Sequence, residues 1–332
     1  MSLPVYPMPL TYVAKSPIWG GKELERRFGK HVDASAIGET WELTVRESEM
    51  SVIRGGECDG MTLGDYIRKS GGKAVGRDFP SDGRFPLLGT NCEKYDRFPL
   101  LIKFIDAADR LSVQVHPNDE YAARVENGVG KTEMWYVIDA VQGAELVMGL
   151  AEGKTPDDLR AAALSGADIS SCLRYVPVKP GDCFFIPSGM IHAIGKGILI
   201  AEIQQNCDLT YRLWDYGRVG ADGKPRELHT GKACDVIRVF SDAEVEAERF
   251  EKCSEKPGRG MLASCRYFTV FFGKNGDTFC AGEDSFNSVL CYEGSGWLEW
   301  SGGRVAIKAG DSIFMPAGLC GASCGETKRC EA

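Results

Sequence analysis

The chain is patterned as a series of short strands rather than as long helices. Glu39-Thr-Trp-Glu-Leu-Thr-Val45 reads as a strand, and Phe98-Pro-Leu-Leu-Ile-Lys-Phe-Ile105 as an apolar strand interrupted by Lys103. Leu111-Ser-Val-Gln-Val-His116 alternates with period two, the spacing that sends successive side chains to opposite faces of a sheet. Met134–Ile138 and Glu145–Met148 read as two further strands flanking a turn at Gly143. Helical signals are fewer. A short helix is expected at residues 119–127. Thr155, followed by Pro156, two aspartates and the periodic Leu159-Arg-Ala-Ala-Ala-Leu164, predicts a capped helix over residues 156–166. Residues 55–95, rich in Gly, Asp and Arg, are expected to form a helical or irregular insertion. Residues 231–258 are charged and partly helical, a connection between two β units.

An internal repeat organises the strands. Gly181-Asp-Cys-Phe-Phe-Ile-Pro187-Ser-Gly189 recurs as Gly310-Asp-Ser-Ile-Phe-Met-Pro316-Ala-Gly318, at a constant offset of 129 residues. Each copy is a Gly-Asp turn, an apolar strand and a Pro-x-Gly bend that re-aims the chain. Many short strands with such punctuation point to a mainly β protein of two jelly-roll barrels with a helical insertion. The first domain is expected over residues 1–240 and the second over residues 241–332.

With 332 residues, 43% of them hydrophobic and 26% charged, the chain can bury a core unaided. A net charge of −8 gives no general attraction for nucleic acid or an anionic membrane. No apolar run approaches a membrane span, and the N-terminal stretch lacks the layout of a signal peptide, so a cytoplasmic location is expected. The 13 cysteines include no CxxC pair and are expected to be reduced and mostly buried. The spacing of Cys320, Cys324 and Cys330 fits no zinc module.

The chemistry concentrates on the two copies of the bend. After the first copy comes Met190-Ile-His192; at the matching place after the second stands Gly321. Only the first copy presents an imidazole. Gln114 and His116 lie two apart on a strand and project together, and Glu133 opens the next strand. Two imidazoles, a carboxylate and an amide oxygen form an N/O donor set suited to Zn²⁺, and also to Mn²⁺, Fe²⁺ or Co²⁺. The bland reading of each histidine is a satisfied core residue; two of only four histidines falling on barrel motifs favours ligands. His31 and His229, in polar surroundings, read as surface residues. Gly128-Val-Gly-Lys-Thr132 mimics a phosphate-binding loop, but position 125 is valine where that loop requires glycine. No dinucleotide or nucleophile-elbow motif is present.

The stretch Gly181–His192 resembles the cupin pattern G-x5-P-x-G-x2-H. With Leu111-Ser-Val-Gln-Val-His-Pro-Asn-Asp119, Gly130-Lys-Thr-Glu-Met-Trp135 and Thr210-Tyr-Arg-Leu-Trp-Asp-Tyr-Gly-Arg218, the chain resembles the class I mannose-6-phosphate isomerases of the short bacterial type. The resemblance covers most of the chain and is loose over residues 55–95 and 240–332. It implies one Zn²⁺ per chain on Gln114, His116, Glu133 and His192. It implies interconversion of mannose 6-phosphate and fructose 6-phosphate through an enediol. Arg212, Lys131 and Glu202 would be catalytic; Lys103, Ser112 and Arg218 would bind substrate. It implies a sugar-phosphate ligand and a monomer or homodimer. Two alternatives stay open: a metal-binding cupin acting on another substrate, such as a different sugar phosphate, and a non-catalytic sugar-binding cupin. Trp135 is expected to pack in the core, while Trp214 and Tyr216 invite a sugar-stacking reading.

Overall fold

The computed structural model describes residues 3–46, 49–77, 98–220, 223–251 and 260–326. Its first barrel is two antiparallel sheets face to face. One runs, strand by strand, Arg249–Glu251, Asp182–Ile186, Glu133–Ala140, Ile198–Gln205, Leu100–Ala107, Glu39–Leu43 and Val13–Lys15. The other runs Leu173–Pro177, Glu145–Leu150, His192–Ile194, Val113–Val115 and Tyr211–Trp214.

Strand alternation explains the core. From the larger sheet, Ile105, Trp135, Val137, Phe184, Ile186 and Ile200 turn inward and meet Leu146, Met148 and Ile194 of the smaller one. Their neighbours in sequence, among them Phe104, Met134, Tyr136, Cys183 and Ala201, turn outward and are buried too. A sheet covered on both faces needs near-continuous apolar sequence, which is why Leu100–Ala107 reads as an apolar run rather than an alternating one. Val113, Val115, Tyr211 and Leu213 leave the smaller sheet on its far side, where Leu159 and Ala233 from two helices cover them.

The helices sit where their caps require. Asp119–Glu126 starts at Asn118, whose side chain accepts from the Tyr121 amide, and ends at Asn127 in the left-handed region (φ 50°). Pro156–Leu164 starts with a reciprocal capping box between Thr155 and Asp158. Leu63–Lys69 is a two-turn helix within the expected 55–95 insertion; residues 78–97 lie outside the described residues. The 231–258 connection holds two short helices, Thr230–Val236 and Asp242–Ala247.

The C-terminal strands form a second, smaller β unit around Leu298, Ile307, Ile313, Met315 and Ala322. The repeat is visible in its backbone. Gly181 and Gly310 have φ 92° and 93°, and Gly189 and Gly318 have φ 87° and 85°, values that only glycine adopts readily. In both copies a lysine amide donates to the turn aspartate: Lys179 to Asp182 at 3.1 Å and Lys308 to Asp311 at 2.9 Å. Both bends also close with the same backbone bond, Met190 to Pro187 and Leu319 to Pro316. Strands cross between the two units in both directions. Met8–Pro9 pairs with Ser312–Met315, and Arg249–Glu251 pairs with Asp182–Ile186.

Candidate metal centre and active site

The site is built on the inward faces of both sheets. From the smaller sheet, Arg212, Gln114, His192 and Met148 stand directly opposite one another across four strands. From the larger sheet, Trp41, Lys103, Glu202 and Trp135 form a second transverse row. Glu133, two residues from Trp135, faces Gln204 in the row beside it. The Pro-x-Gly bend is tied to this framework by the Gly189 amide, which donates to the His116 carbonyl at 2.9 Å.

His116, Glu133 and His192 are fully buried, and their donor atoms all lie within 4.8 Å of one another. The two imidazole Nε2 atoms are 3.1 Å apart, and Glu133 Oε1 is 3.4 Å from that of His192. His192 Nδ1 donates to the Met190 carbonyl at 2.9 Å, which leaves the Nε2 lone pair facing the cluster. The Gln114 amide reaches to 3.3 Å from the same nitrogen. Burial, with Lys131 and His192 adding to it, holds His116 well below the usual imidazole pKa. Burial pushes His192 down to about 4. Both rings are therefore neutral at pH 7. Glu133 Oε1 accepts no hydrogen bond although it is sealed from solvent, and Oε2 has the Lys131 ammonium beside it at 2.9 Å. Buried polar atoms in folded proteins are normally satisfied. Converging lone pairs and a buried carboxylate oxygen without a donor are what a divalent cation resolves, so the residues fit a metal.

A charged network surrounds the donors. Lys131 Nζ is 2.9 Å from Glu133 Oε2. Burial works against the Lys131 charge, but Glu133 and Glu202 outweigh it and raise its pKa, so it remains an ammonium. Lys103 lies 3.3 Å from both Glu202 and Glu39. Glu202 also accepts from Trp135 Nε1 at 2.8 Å. Burial raises the Glu202 pKa, but Lys103 and Lys131 more than offset this and leave it depressed, hence ionised. Burial and Glu202 together push Glu133 upward against the pull of Lys131.

Arg212 Nε donates to Ser112 Oγ at 3.2 Å and Nη1 to the Glu227 carbonyl at 2.8 Å. Arg218 stands apart: it donates to Asp215 at 2.7 Å, to Asp109 at 3.3 Å and to the Arg110 carbonyl at 2.6 Å. Arg226 grips the same Asp215 carboxylate at 2.8 Å. The sequence-derived residues Gln114, His116, Glu133, His192, Lys131, Lys103, Glu202, Ser112 and Arg212 thus belong to the two facing rows or touch them; Arg218 is engaged in bracing a turn.

Several residues escaped the sequence reading. Trp41 belongs to the Lys103 row and Glu39, in the row beside it, reaches Lys103: Trp41 Nε1 donates to Glu39 at 2.8 Å and its ring lies 5.3 Å from Lys103 Nζ. They are two apart on a predicted strand, so period two placed them on one face, but not beside Lys103. His229 is a correction: it is partly buried, and its Nδ1 accepts from the Arg212 amide at 3.3 Å. Trp135 is wholly buried as expected, yet it also positions Glu202. Trp214 and Tyr216 pair with each other at 4.3 Å, and Tyr216 adopts φ 59°, a strained value for an aromatic residue. Thiol burial holds for Cys58, Cys172, Cys183 and Cys207 but not for Cys280 and Cys320, which are exposed.

The paired sheets, the repeated bend and the His–Glu–His cluster inside the first barrel define a cupin with a candidate metal centre. Residues 8–156 match the family model for the type I phosphomannose isomerase catalytic domain. Mannose-6-phosphate isomerase ManA of Bacillus subtilis is 38% identical over 92% of this chain and 92% of its own. A crystal structure of the mannose 6-phosphate isomerase from Bacillus subtilis superposes with a TM-score of 0.77 at 32% identity, covering 96% of this chain and 97% of that one. A zinc-bound mannose 6-phosphate isomerase shares the fold with a TM-score of 0.71 at 16% identity, over 96% of this chain and 97% of its own. The chain belongs to the type I mannose-6-phosphate isomerase family.

Proposed function

We propose that this protein interconverts mannose 6-phosphate and fructose 6-phosphate, moving a proton between C1 and C2 of the open-chain sugar through an enediol. The observation that carries the reading is the juxtaposition, in one buried cluster, of two neutral imidazoles and the Glu133 carboxyl with an ionised Glu202 and the fixed cations Lys131 and Lys103. Gln114, His116, Glu133 and His192 would hold one Zn²⁺. Bound there, the ion would supply Lewis acidity toward a substrate oxygen.

The chain's own residues account for the rest. Glu202 is a carboxylate, not an acid, and is held by two cations and an indole N–H, so it can accept a proton and return it. Lys131, kept protonated by its two carboxylates, serves as a donor or an electrostatic clamp rather than as the base. Arg212 stays charged at any working pH, and its row position beside Gln114 suits it to stabilise negative charge on the sugar oxygens. Ser112 orients Arg212. Lys103 holds Glu202 ionised, and Arg218 acts through Asp215 at the rim. In this reading residues 1–240 form the catalytic unit, and residues 241–332, with Gly321 at the place matching His192, carry no metal.

Among the described residues no helix is long and apolar enough to cross a membrane. A soluble small-molecule enzyme, monomeric or dimeric and cytoplasmic, is the setting proposed. The test is a coupled isomerase assay on zinc-loaded and chelator-treated protein. Turnover of mannose 6-phosphate that vanishes with chelator and returns with zinc is expected; a zinc-replete sample without turnover would overturn the proposal.

A further inference from the structure

None of the cysteines takes part in the chemistry above, yet two of them form a pair. Cys280 and Cys320 are both exposed on the C-terminal unit. Their segments run antiparallel side by side. Phe279 is the register partner of Ala322, the Ala281 amide donates to the Leu319 carbonyl at 2.9 Å, and the Gly318 amide donates to the Gly282 carbonyl at 3.0 Å. Between these anchor points the single residue Cys280 faces Cys320 and Gly321 on the opposite segment. Cys320 Sγ also lies 3.8 Å from the Ala281 carbonyl. A disulfide requires Cα atoms roughly 4.4–6.8 Å apart and converging Cβ vectors. Residues facing each other on antiparallel strands are separated by about 4.5–5.5 Å, within that range. Among the described cysteines Cys280 and Cys320 are the exposed ones, whereas Cys58, Cys172, Cys183 and Cys207 are buried, and Cys207 donates to the Val129 carbonyl at 3.1 Å.

We propose that Cys280 and Cys320 are a dithiol modification site that takes a peroxide as its co-substrate and closes to an intrachain disulfide. The thiolate of one cysteine attacks a peroxide oxygen; the O–O bond breaks, and a sulfenic acid and one water result. The second sulfur attacks the sulfenic sulfur; the S–S bond forms, the S–O bond breaks, and a second water leaves with the remaining thiol proton. Two thiols lose two electrons, and one hydrogen peroxide becomes two waters. The facing Cys280 raises the pKa of the Cys320 thiol, so closure is faster in mildly alkaline buffer than at neutrality. Exposed disulfides of this kind are the reversible ones.

The position of the pair gives the link a consequence. The two segments it would join hold one third segment between them. Ala317 donates to the Ala74 carbonyl at 2.9 Å, Phe286 donates to the Val75 carbonyl at 3.1 Å, and Arg77 donates to the Glu283 carbonyl at 2.8 Å. Oxidation would fasten the bend at 316–320 to the loop at 281–286, the two jaws that grip residues 74–77 of the N-terminal half.

The experiment treats the full, metal-loaded chain with hydrogen peroxide, blocks residual thiols with N-ethylmaleimide and maps non-reduced peptides by mass spectrometry. Amide exchange at Ala317 and Phe286 is followed in parallel. The expected result is a peptide cross-linked through Cys280 and Cys320, cleaved by dithiothreitol and absent from Cys280→Ser and from Cys320→Ser. Exchange at the two amides should slow severalfold in oxidised wild type and not in either variant. Separate alkylation or overoxidation of the two cysteines, or a link from Cys320 to Cys324 or Cys330 instead, overturns the proposal. A correct link that leaves both amides exchanging as before overturns the gripping role.

Discussion

Lys103→Met tests the charge network most directly. Lys103 is buried and lies 3.3 Å from Glu39 and 3.3 Å from Glu202. At that distance and an effective dielectric near 20, each attraction is about 5 kcal/mol before desolvation is subtracted. Removing one partner of a buried ion pair typically costs about 3–5 kcal/mol, because the survivor is left charged and unsolvated. Protonation caps the loss: neutralising a carboxyl of ordinary pKa near 4.3 at pH 7 requires about 3.7 kcal/mol. A deficit of about 3–4 kcal/mol is therefore expected at pH 7. Its pH dependence is the sharper signature. In wild type the folded pKa of Glu202 is depressed, so its stabilisation is present above the unfolded value and lost only as pH falls through the folded one. Between pH 7 and 5 it contributes no slope. In the variant one carboxyl is protonated in the folded state and ionised in the unfolded state. The folded state then binds the extra proton, and the deficit should shrink by about 1.4 kcal/mol for each unit the pH falls. Urea unfolding of both proteins in chelator at pH 7, 6 and 5 measures this with metal loss held out of the comparison. A deficit under about 1 kcal/mol at pH 7, or one that stays constant down to pH 5, would refute the reasoning.

Other expectations follow from the same geometry. Gly189→Ala should lose about 1–3 kcal/mol of stability and weaken metal binding, because φ is 87° there and a Cβ would come within 2.8 Å of the Val236 carbonyl and Arg238 Cγ. Gly318→Ala, at φ 85° but facing open space, should cost less and leave metal affinity unchanged; thermal melts and zinc titration compare the two. Arg212→Ala should retain its metal by elemental analysis while turnover falls by roughly 10²–10³, the usual effect of removing one charge-stabilising donor. Thr155→Ala, which breaks the capping box of Pro156–Leu164, should lower stability by about 1 kcal/mol with kcat and KM untouched.

Much of this architecture could be read from local sequence, and the reason is geometric. The Gly-Asp turn and Pro-x-Gly bend need left-handed glycines and a self-bonding aspartate, so their conformation is written in residue type and appears twice at a fixed offset. The Thr155 cap and the strand at Val113–Val115 were legible for the same reason: their determinants lie within a few residues. The row Trp41–Lys103–Glu202–Trp135 was not legible as a row. Its members come from four strands scattered over more than half the chain, and only register brings them together. Arg218 was placed by its block alone: Tyr-Arg-Leu-Trp-Asp-Tyr-Gly-Arg suggested a pocket residue, and only the fold shows its partners, Asp215, Asp109 and the Arg110 carbonyl.

The contrast between the two copies of the bend explains why only the first leads into the candidate metal centre. In the first, His192 follows the bend into a strand whose direct partners are Gln114 and Met148, under a second sheet that closes the chamber. Burial there strips water from every charge, so Lys131, Lys103, Glu133 and Glu202 remain only because each finds an opposite charge within about 3 Å. In the second copy the residue matching His192 is Gly321, at φ 78°, a conformation that an L side chain enters at a penalty. The bend survives there with its strand, and Met8–Pro9 pairs onto that strand from the N-terminal end. The same turn therefore delivers His192 to the buried His–Glu–His cluster in one barrel and anchors the Met8–Pro9 strand in the other. Placing a histidine at position 321 would restore the residue type without the backbone, the partner strand or the counter-charges. By this argument Gly321→His binds no second zinc, and a stoichiometry of two metals per chain in that variant would show the reasoning to be wrong.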